Sequence, residues 1–516
     1  MKPRAKTAPK PLPSSLTERS GSSNMASHAR LSRRALLRLA AIAVTSLAAA
    51  ACQMRLPPFG KVVEDLLKTT LVTKGQAVPG AKEAIKAISS LARPVWVLLQ
   101  KELFSAYNLY LREQISNFCK EQNWPLNLSY LSDYVGAVRP TDKLIAAVRA
   151  GNPPDLILST LKVSALYQSK SLQPVTELVT EIQAQWGPAA RRLVRDYYIA
   201  QEWWAAPFFQ RSDGGWYRID IWEKAGIDIQ ALRTYPELLE ACLSLSKPEK
   251  ELYGWGVTIS RCDNGDAFID RVITGWGGHW QDETGQYVTI ASPETIEALN
   301  WLADIYTHPR WQKMLPPDVL SWTDISNNDA YLAGKLAYTQ NGGGLYAEAL
   351  LNEHPLAEVT GFHPLAGGPK LKEFHGLNAS AWMILRGCAN PDAALSLMRH
   401  LMRSPEQFDA VFAAAPGFAL PAYLGLWDRS TYLPTNPLAL QQKLPATDPM
   451  GIIPWFHPGP TSPAMALANA MGIRNEMVNT VLKGGLAAEA VQTAHQRLVE
   501  IFTEFGLPGE RDSSSR

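Results

Sequence analysis

A chain of 516 residues is too long for one ordinary hydrophobic core, so two lobes or more are expected. Its apolar share of 46% and charged share of 19% are those of a globular protein. The formal charge of +2 hides an asymmetry: residues 1–51 hold nine basic residues and one acidic residue, Glu18, which leaves 41 basic against 47 acidic residues in the rest, a balance that gives no electrostatic reason to seek nucleic acid.

The first 51 residues read as a targeting signal. Arg30 to Arg38 form a basic region, and Leu39 to Ala51 form an apolar run broken only by Thr45 and Ser46. That run is too short to span a bilayer core of roughly 30 Å as a helix. Ala49, Ala50 and Ala51 lead into Cys52, which resembles a bacterial lipobox with Ala49 where Leu is usual; Cys52 is expected to carry lipid. Ser32-Arg33-Arg34-Ala35-Leu36-Leu37 also resembles a twin-arginine export signal, and the choice between export routes stays open. Residues 1–24 are rich in Pro, Ser and Lys and look foreign to a signal, so Met25 is an alternative start.

Residues 52–93 read as a lipid anchor and spacer, broken by Pro57-Pro58 and by Gly75 and Gly80, that lifts the folded body from the headgroups. The body begins near Pro94. Val95 to Leu99 suits a buried strand. Phe104, Tyr107, Leu111, Ile115 and Phe118 recur at helical spacing, and Leu126 to Tyr130 alternates as a second strand. Lys143 to Arg149 is helical, Asn152-Pro153-Pro154 stops it, and Asp155 to Leu158 is a third strand. This β-α-β-α-β order predicts a parallel, doubly wound sheet with ligands beyond the carboxyl ends of its strands.

Residues 206–420 mix strands, turns and helices, and 463–505 is helical by pattern. The acidic turns at 262–266 and 282–285 lack the ligand spacing of a calcium loop, so no metal is expected. Cys119, Cys242, Cys262 and Cys388 have no zinc spacing; an exported protein could join Cys242 to Cys262, and free thiols are the other reading.

A series of motifs in fixed order then becomes specific. Ala150-Gly151-Asn152-Pro153-Pro154-Asp155-Leu156, Ser171 to Val175, and Ala206-Pro207-Phe208 come first. Trp216 to Ile227 and Thr234 to Leu238 follow, with Arg218 and Tyr235 in place of the usual Asn and Trp. Gly277-Gly278, Asp282 to Val288, Tyr331 to Tyr338, Asn341 to Tyr346, Asn390 to Glu406 and Val481 to Gly484 complete the series. Together they resemble the family 1 extracellular solute-binding proteins of sugar ABC importers, over about residues 94–503. The resemblance implies a two-lobed, class II periplasmic-binding-protein-like α/β fold with mostly parallel sheets and a hinge. It implies a mainly N-terminal lobe over 94–205, a mainly C-terminal lobe with hinge crossings over 206–420, and C-terminal helices over 421–516. A carbohydrate would be held between the lobes and delivered to a membrane permease, without catalysis and without a cofactor.

Sugar recognition needs aromatic platforms and planar polar groups placed in loops at strand ends. Trp276 and Trp280 flank a glycine pair, Trp322 precedes the Tyr331–Tyr338 motif, Tyr346 ends a glycine run, and Trp382 lies on a segment that the resemblance returns toward the cleft. Gly343 and Gly344 would let a ligand approach the backbone. Arg211 and Asp213 follow the Ala206-Pro207-Phe208 motif, and Tyr130 and Asp133 end the second strand. Core packing accounts for most of the 16 Trp. Two rival readings remain: the same fold holding a polyol phosphate, for which Arg211 and Arg218 speak, or a polyamine; and, lower, an exported glycoside-active enzyme, although no HExxH or G-x-S-x-G motif marks a catalytic group.

Overall fold

The computed structural model describes residues 93–131, 140–161, 163–372, 377–448, 455, 457–460 and 462–511, together with Leu91. The expected signal, Cys52, nearly all of the spacer, and Asp133 lie outside the described residues. Buried apolar side chains sort into two separate cores. One gathers residues between Val95 and Phe209 and between Ala379 and Ala446. The other gathers residues between Trp216 and Tyr346, then Phe362, Ala366, Leu438, and Trp455 to Phe502.

The first lobe begins as its periodicity predicts. Strands β1 (Val95–Gln100), β2 (Leu126–Leu131) and β3 (Leu156–Ser159) pair in parallel in the order β2-β1-β3. The helix Ser105–Glu121 between β1 and β2 buries Tyr107, Leu111, Ile115 and Cys119 on one face. Three short strands follow, β4 (Leu172–Gln173), β5 (Tyr198–Ile199) and β6 (Glu202–Trp203), and then the longer β7 (Ala206–Ser212), which is buried throughout. The second lobe holds β8 (Gly214–Arg218), β9 (Tyr338–Asn341) and β10 (Thr360–His363). The chain then returns to the first lobe through β11 (Leu377–Leu385) and β12 (Leu420–Pro421).

The first sheet runs β12-β7-β11-β3-β1-β2, with β4 beside β11; the second runs β10-β8-β9. The first sheet is therefore mixed, and neither sheet is mostly parallel. Strand β11 is antiparallel to β3, β4 and β7, and the second sheet is antiparallel throughout. The reason is that β7 carries the chain out of the first lobe and β11 carries it back, so neither belongs to a β-α-β unit. Lobe membership also differs from the sequence boundaries. Residues 206–209 and most of 379–446 serve the first lobe, and Leu438 and 455–502 serve the second. Hydrophobic period identifies a strand but not which core receives it.

Strand directions place one edge of each sheet against the other lobe. Strands β1, β3 and β7 end at that edge of the first lobe, and β11 begins there. Gly214 opens β8 opposite Asn341, and Gly215 pairs with His363, so β9 and β10 end at the matching edge of the second lobe. The lobes also meet where the helix Pro463–Met471 packs on Val163–Gln168.

Two buried polar clusters hold these pieces in place. Asp155, fully buried, accepts from the backbone N–H groups of Trp96 (2.8 Å), Ala389 (2.9 Å) and Asn390 (3.0 Å) and from Asn390 Nδ2 (3.1 Å), with Arg93 3.3 Å away. It thus ties β1 to the start of the helix Pro391–Leu401. In the second lobe Arg474 donates from Nε and Nη2 to Asp270 at 2.7 Å each, and its Nη1 lies 2.8 Å from Asp266. Its guanidinium sits 3.9 Å from the Trp455 ring centroid, which fastens the C-terminal helices to the helix Asp263–Trp276. Cys119, Cys242, Cys262 and Cys388 are all free thiols.

Two outcomes follow from these buried groups. Asp155→Ala strands three backbone donors, so urea unfolding is expected to register a loss of about 3–5 kcal/mol. Burial lowers the pKa of His363 from 6.5 to about 4, against a raising effect of its contact with Leu232 O. Between pH 4 and 6.5 the unfolded chain then binds the proton more tightly than the folded one. The contribution is intact above pH 6.5 and lost as pH falls toward 4, at most about 3 kcal/mol. His363→Gln is expected to flatten the acid limb of a stability-versus-pH curve across that window.

Candidate functional site

The site is built where the chain first crosses between lobes. Strand β7 ends at Ser212, Asp213 forms the crossing, and Gly214 opens β8. Neither glycine that follows has room for a side chain: a Cβ on Gly214 would lie 2.0 Å from the Phe362 ring, and one on Gly215 would lie 2.4 Å from the Tyr338 hydroxyl. This close packing fixes Asp213 at the joint.

Asp213 is anchored on one side only. Its Oδ2 accepts from Arg271 Nη2, while its Oδ1 accepts no hydrogen bond among the described residues. The Asp213 side chain is 25% exposed, and Arg271, on the helix Asp263–Trp276, is 4% exposed. Arg271 also reaches Gln340 Oε1 at 3.3 Å. Gln340 in turn donates to the hydroxyls of Tyr235 and Tyr338 at 3.4 Å. The guanidinium is therefore held from two directions and cannot swing away from Asp213 without breaking buried bonds.

Beside Asp213 runs the glycine segment 342–344, which opens the helix Gly344–Leu351. A Cβ on Gly342 would stand 3.4 Å from Asp213 Oδ1, so this segment borders the open carboxylate oxygen. Gly343 has φ +86°, and a Cβ there would meet Gly417 O at 2.5 Å, so first-lobe backbone packs directly on it. Gly344 borders Asn328 Nδ2, at 3.4 Å from an added Cβ. Asn328 is 2% exposed; its Oδ1 accepts from Asn341 Nδ2, while its own Nδ2 makes no hydrogen bond among the described residues. Asn327 supports this row by donating to Gln340 O at 2.9 Å and to Thr339 Oγ1 at 3.2 Å.

The residues expected from sequence fall into distinct places. Asp213, Gly343 and Gly344 meet at this joint. Tyr346 lies on the same helix but is only 5% exposed, stacked on Trp216 with ring centroids 5.5 Å apart, and donates to Asn436 Oδ1 at 3.2 Å. Burial raises its pKa to about 12, so the hydroxyl keeps its proton. Arg211 lies on β7, 7% exposed, with its guanidinium 4.7 Å from the Phe418 ring centroid. Tyr130 ends β2 and is 40% exposed.

Four tryptophans are packed instead of open. Trp280 is fully buried, donates to Asp270 Oδ1 at 3.1 Å and lies 4.3 Å from Trp455. Trp382 is fully buried against Phe208 in the first core. Trp276 packs on Trp301 at 4.3 Å, and Trp322 is 4% exposed in the second core. Burying a ring of 150–250 Å² contributes on the order of 4–6 kcal/mol at about 25 cal/mol per Å². That term favours packing both faces over offering one to a solute. The adjacent glycines serve the same end: Gly277 has φ +95° and caps its helix, and Gly278 lets Thr295 approach.

Arg271 and Asn328 went unrecognised in the sequence. Arg271 sits in a helix that also carries Asp263, Asp266 and Asp270, where nothing in the pattern separates it from a solvated charge. Asn328 carried one signal: an Asn pair, Asn327-Asn328, within a helix, where Asn is unfavourable.

Among the described residues no group of three or more His, Cys, Asp or Glu could hold a metal ion, and no described helix is long and apolar enough to cross a membrane. Among curated protein sequences, none matches this chain. Solved structures share its fold. Maltose-bound MalE3 of T. maritima superposes with TM-score 0.67 at 18% identity, covering 78% of this chain and 98% of that one. An ABC transporter solute-binding protein of Thermotoga lettingae TMO, bound with α-D-tagatose, gives 0.66 at 18% identity, covering 80% and 100%. A sugar transporter protein of Arthrobacter chlorophenolicus A6 with bound laminaribiose gives 0.65 at 14% identity, covering 79% and 99%. The profile described as "Bacterial extracellular solute-binding protein" matches residues 104–407, more than half of the sequence, and the chain belongs to that family.

Proposed function

We propose that this protein captures a carbohydrate between its two lobes and delivers it to an ABC permease. The observation that carries this reading is the polar row at the interlobe joint, where Asp213, Asn328 and the segment 342–344 converge between two separate cores in a member of a solute-binding family. The sugars bound by proteins of the same fold, among them maltose, α-D-tagatose and laminaribiose, support a sugar as cargo. Tyr130, 40% exposed at the first-lobe edge, is exposed enough to serve as a platform. Gly342 and Gly344 border the opposite side, Gly343 and Tyr346 support it from behind, and Arg211 lies on the first-lobe strand that leads to the joint. Trp276, Trp280, Trp322 and Trp382 act behind that surface, as the packing that holds it.

Capture by lobe closure suits this architecture. Each lobe keeps its own core, so a change at the crossings can move one against the other without disturbing either. A solute that prefers the closed form by a few kcal/mol shifts the population, and the permease would read that form. The protein would work without catalysis: binding and release complete its task. Lipid at Cys52 would keep it beside the membrane after export, as the sequence around that residue suggests.

Thermal unfolding of the purified full chain tests the reading. Maltose, D-tagatose, laminaribiose or D-mannitol at a hundredfold excess over its Kd would add about 2.7 kcal/mol to stability and raise Tm. Spermidine as the best ligand would refute the sugar, and release of reducing ends from an oligosaccharide would refute capture without chemistry. Arg271→Leu is expected to weaken sugar binding at least tenfold by leaving Asp213 unheld. Cys52→Ser is expected to move the protein from the membrane fraction to the soluble one.

A further inference from the structure

We infer that the captured solute carries an acidic oxygen group, a carboxylate or a phosphate, and that Arg192 receives it beside the interlobe crossing; this narrows the class of sugar and rests on the capture function proposed above. Arg192 lies on the helix Arg191–Tyr197 and is 6% exposed. Its Nε and Nη1 are buried and make no hydrogen bond. Its ion-pair partner, Asp196 one turn on, stands 3.7 Å from Nε, near enough to feel the charge but too far to accept from it. A guanidinium withdrawn from water ordinarily finds acceptors for its N–H groups, because leaving them unmet is costly. Two relations place this group at the crossing. The charge of Arg192 interacts with that of Asp213, the crossing residue itself. Tyr197, at the end of the same helix, interacts with both Arg192 and Arg211 and donates to Ala379 O at 3.3 Å, near the start of β11 at the interlobe edge.

The charge balance decides what completes Arg192. Asp213 is already taken by Arg271, which leaves Asp196 as the nearer countercharge. Against these two carboxylates stand the guanidinium groups of Arg192, Arg195, Arg211 and Arg271, and Arg195 opposes the charge of Arg192 directly. Burial outweighs the carboxylates and draws the pKa of Arg192 below the ordinary arginine value. The group therefore lacks both acceptors and negative charge. A hydroxyl supplies only the first, an ammonium supplies neither, and an oxyanion supplies both. The planar fork of arginine also matches the paired oxygens of a carboxylate or phosphate. Arg218 takes no part, since its Nε and Nη2 donate to Asp220 at 2.8 and 2.6 Å.

Calorimetry on the purified full chain tests this with galactose, galacturonate and galactose 1-phosphate, with the corresponding glucose series, and with maltose. One acidic sugar is expected to bind at least about tenfold more tightly than its neutral parent, and the carboxylate and phosphate arms identify the oxyanion. Arg192→Met keeps the apolar stem and removes the charge. It should erase the preference, leave the neutral parent's affinity unchanged, and keep or raise the Tm of the unliganded chain, because an uncompensated buried charge is gone. An arginine with a merely structural role would instead lower Tm and weaken acidic and neutral sugars alike. Arg192→Lys keeps the charge without the fork and should retain part of the preference, which gives a second reading should the Met variant not fold. Neutral sugars bound as tightly as the acidic ones overturn the inference and leave sugar capture standing, as does a preference that survives Arg192→Met. Binding of no sugar, neutral or acidic, overturns both.

Discussion

The architecture depends on one constraint, the passage of the chain from the first sheet to the second through Ser212, Asp213 and Gly214. Because β7 leaves one sheet and β8 enters the other with a single residue between them, the ends of both sheets must face each other there. The absence of any space for a Cβ at Gly214 and Gly215 makes that passage tight. Everything placed at the joint inherits its position from this: the carboxylate of Asp213, the glycine segment beyond β9, and the arginine that spans from Asp213 to Gln340.

The joint combines rigidity with openness in a way that suits binding. Each polar group has one bond to the protein and one free function. Arg271 holds half of Asp213, and Asn341 holds half of Asn328. A group tethered in this manner has already lost most of its rotamer freedom, so less is lost again when a solute arrives. The aromatic residues contribute indirectly. Stacked Trp216 and Tyr346 brace the back of the glycine helix, and the Tyr346 hydroxyl ties it to Asn436.

Two further clusters keep this surface steady from a distance. Asp155 binds β1 to the segment that follows β11, so the three parallel strands and the returning strand act as one plate. Arg474 fastens the last helices to the helix that carries Arg271, and its buried charge is satisfied by Asp270, Asp266 and Asn469. A buried pair of this kind adds modest net stability but forbids alternative packings, since removing one partner leaves the other uncompensated. It thus fixes the register of the helix that presents Arg271.

The sequence by itself determined the local elements and the family resemblance. The helix carrying Tyr107, Leu111 and Ile115 and the strands around Val95 to Leu99 and Leu156 to Leu158 follow from spacing, because side-chain periodicity reports directly which face of an element is buried. Gly343, Gly344 and Asp213 were singled out from their neighbours in the chain, and the fold brings them to one joint. Only the tertiary structure decided which lobe each strand joins, that β11 runs against β3, and which tryptophans are covered. Exposure of a ring and completion of a hydrogen bond depend on residues far away in sequence: Trp455 covers Trp280 from 175 positions onward, and Arg271 meets Asp213 across 58. No local pattern carries that information, so Arg271 and Asn328 emerged only when the chain had folded around them.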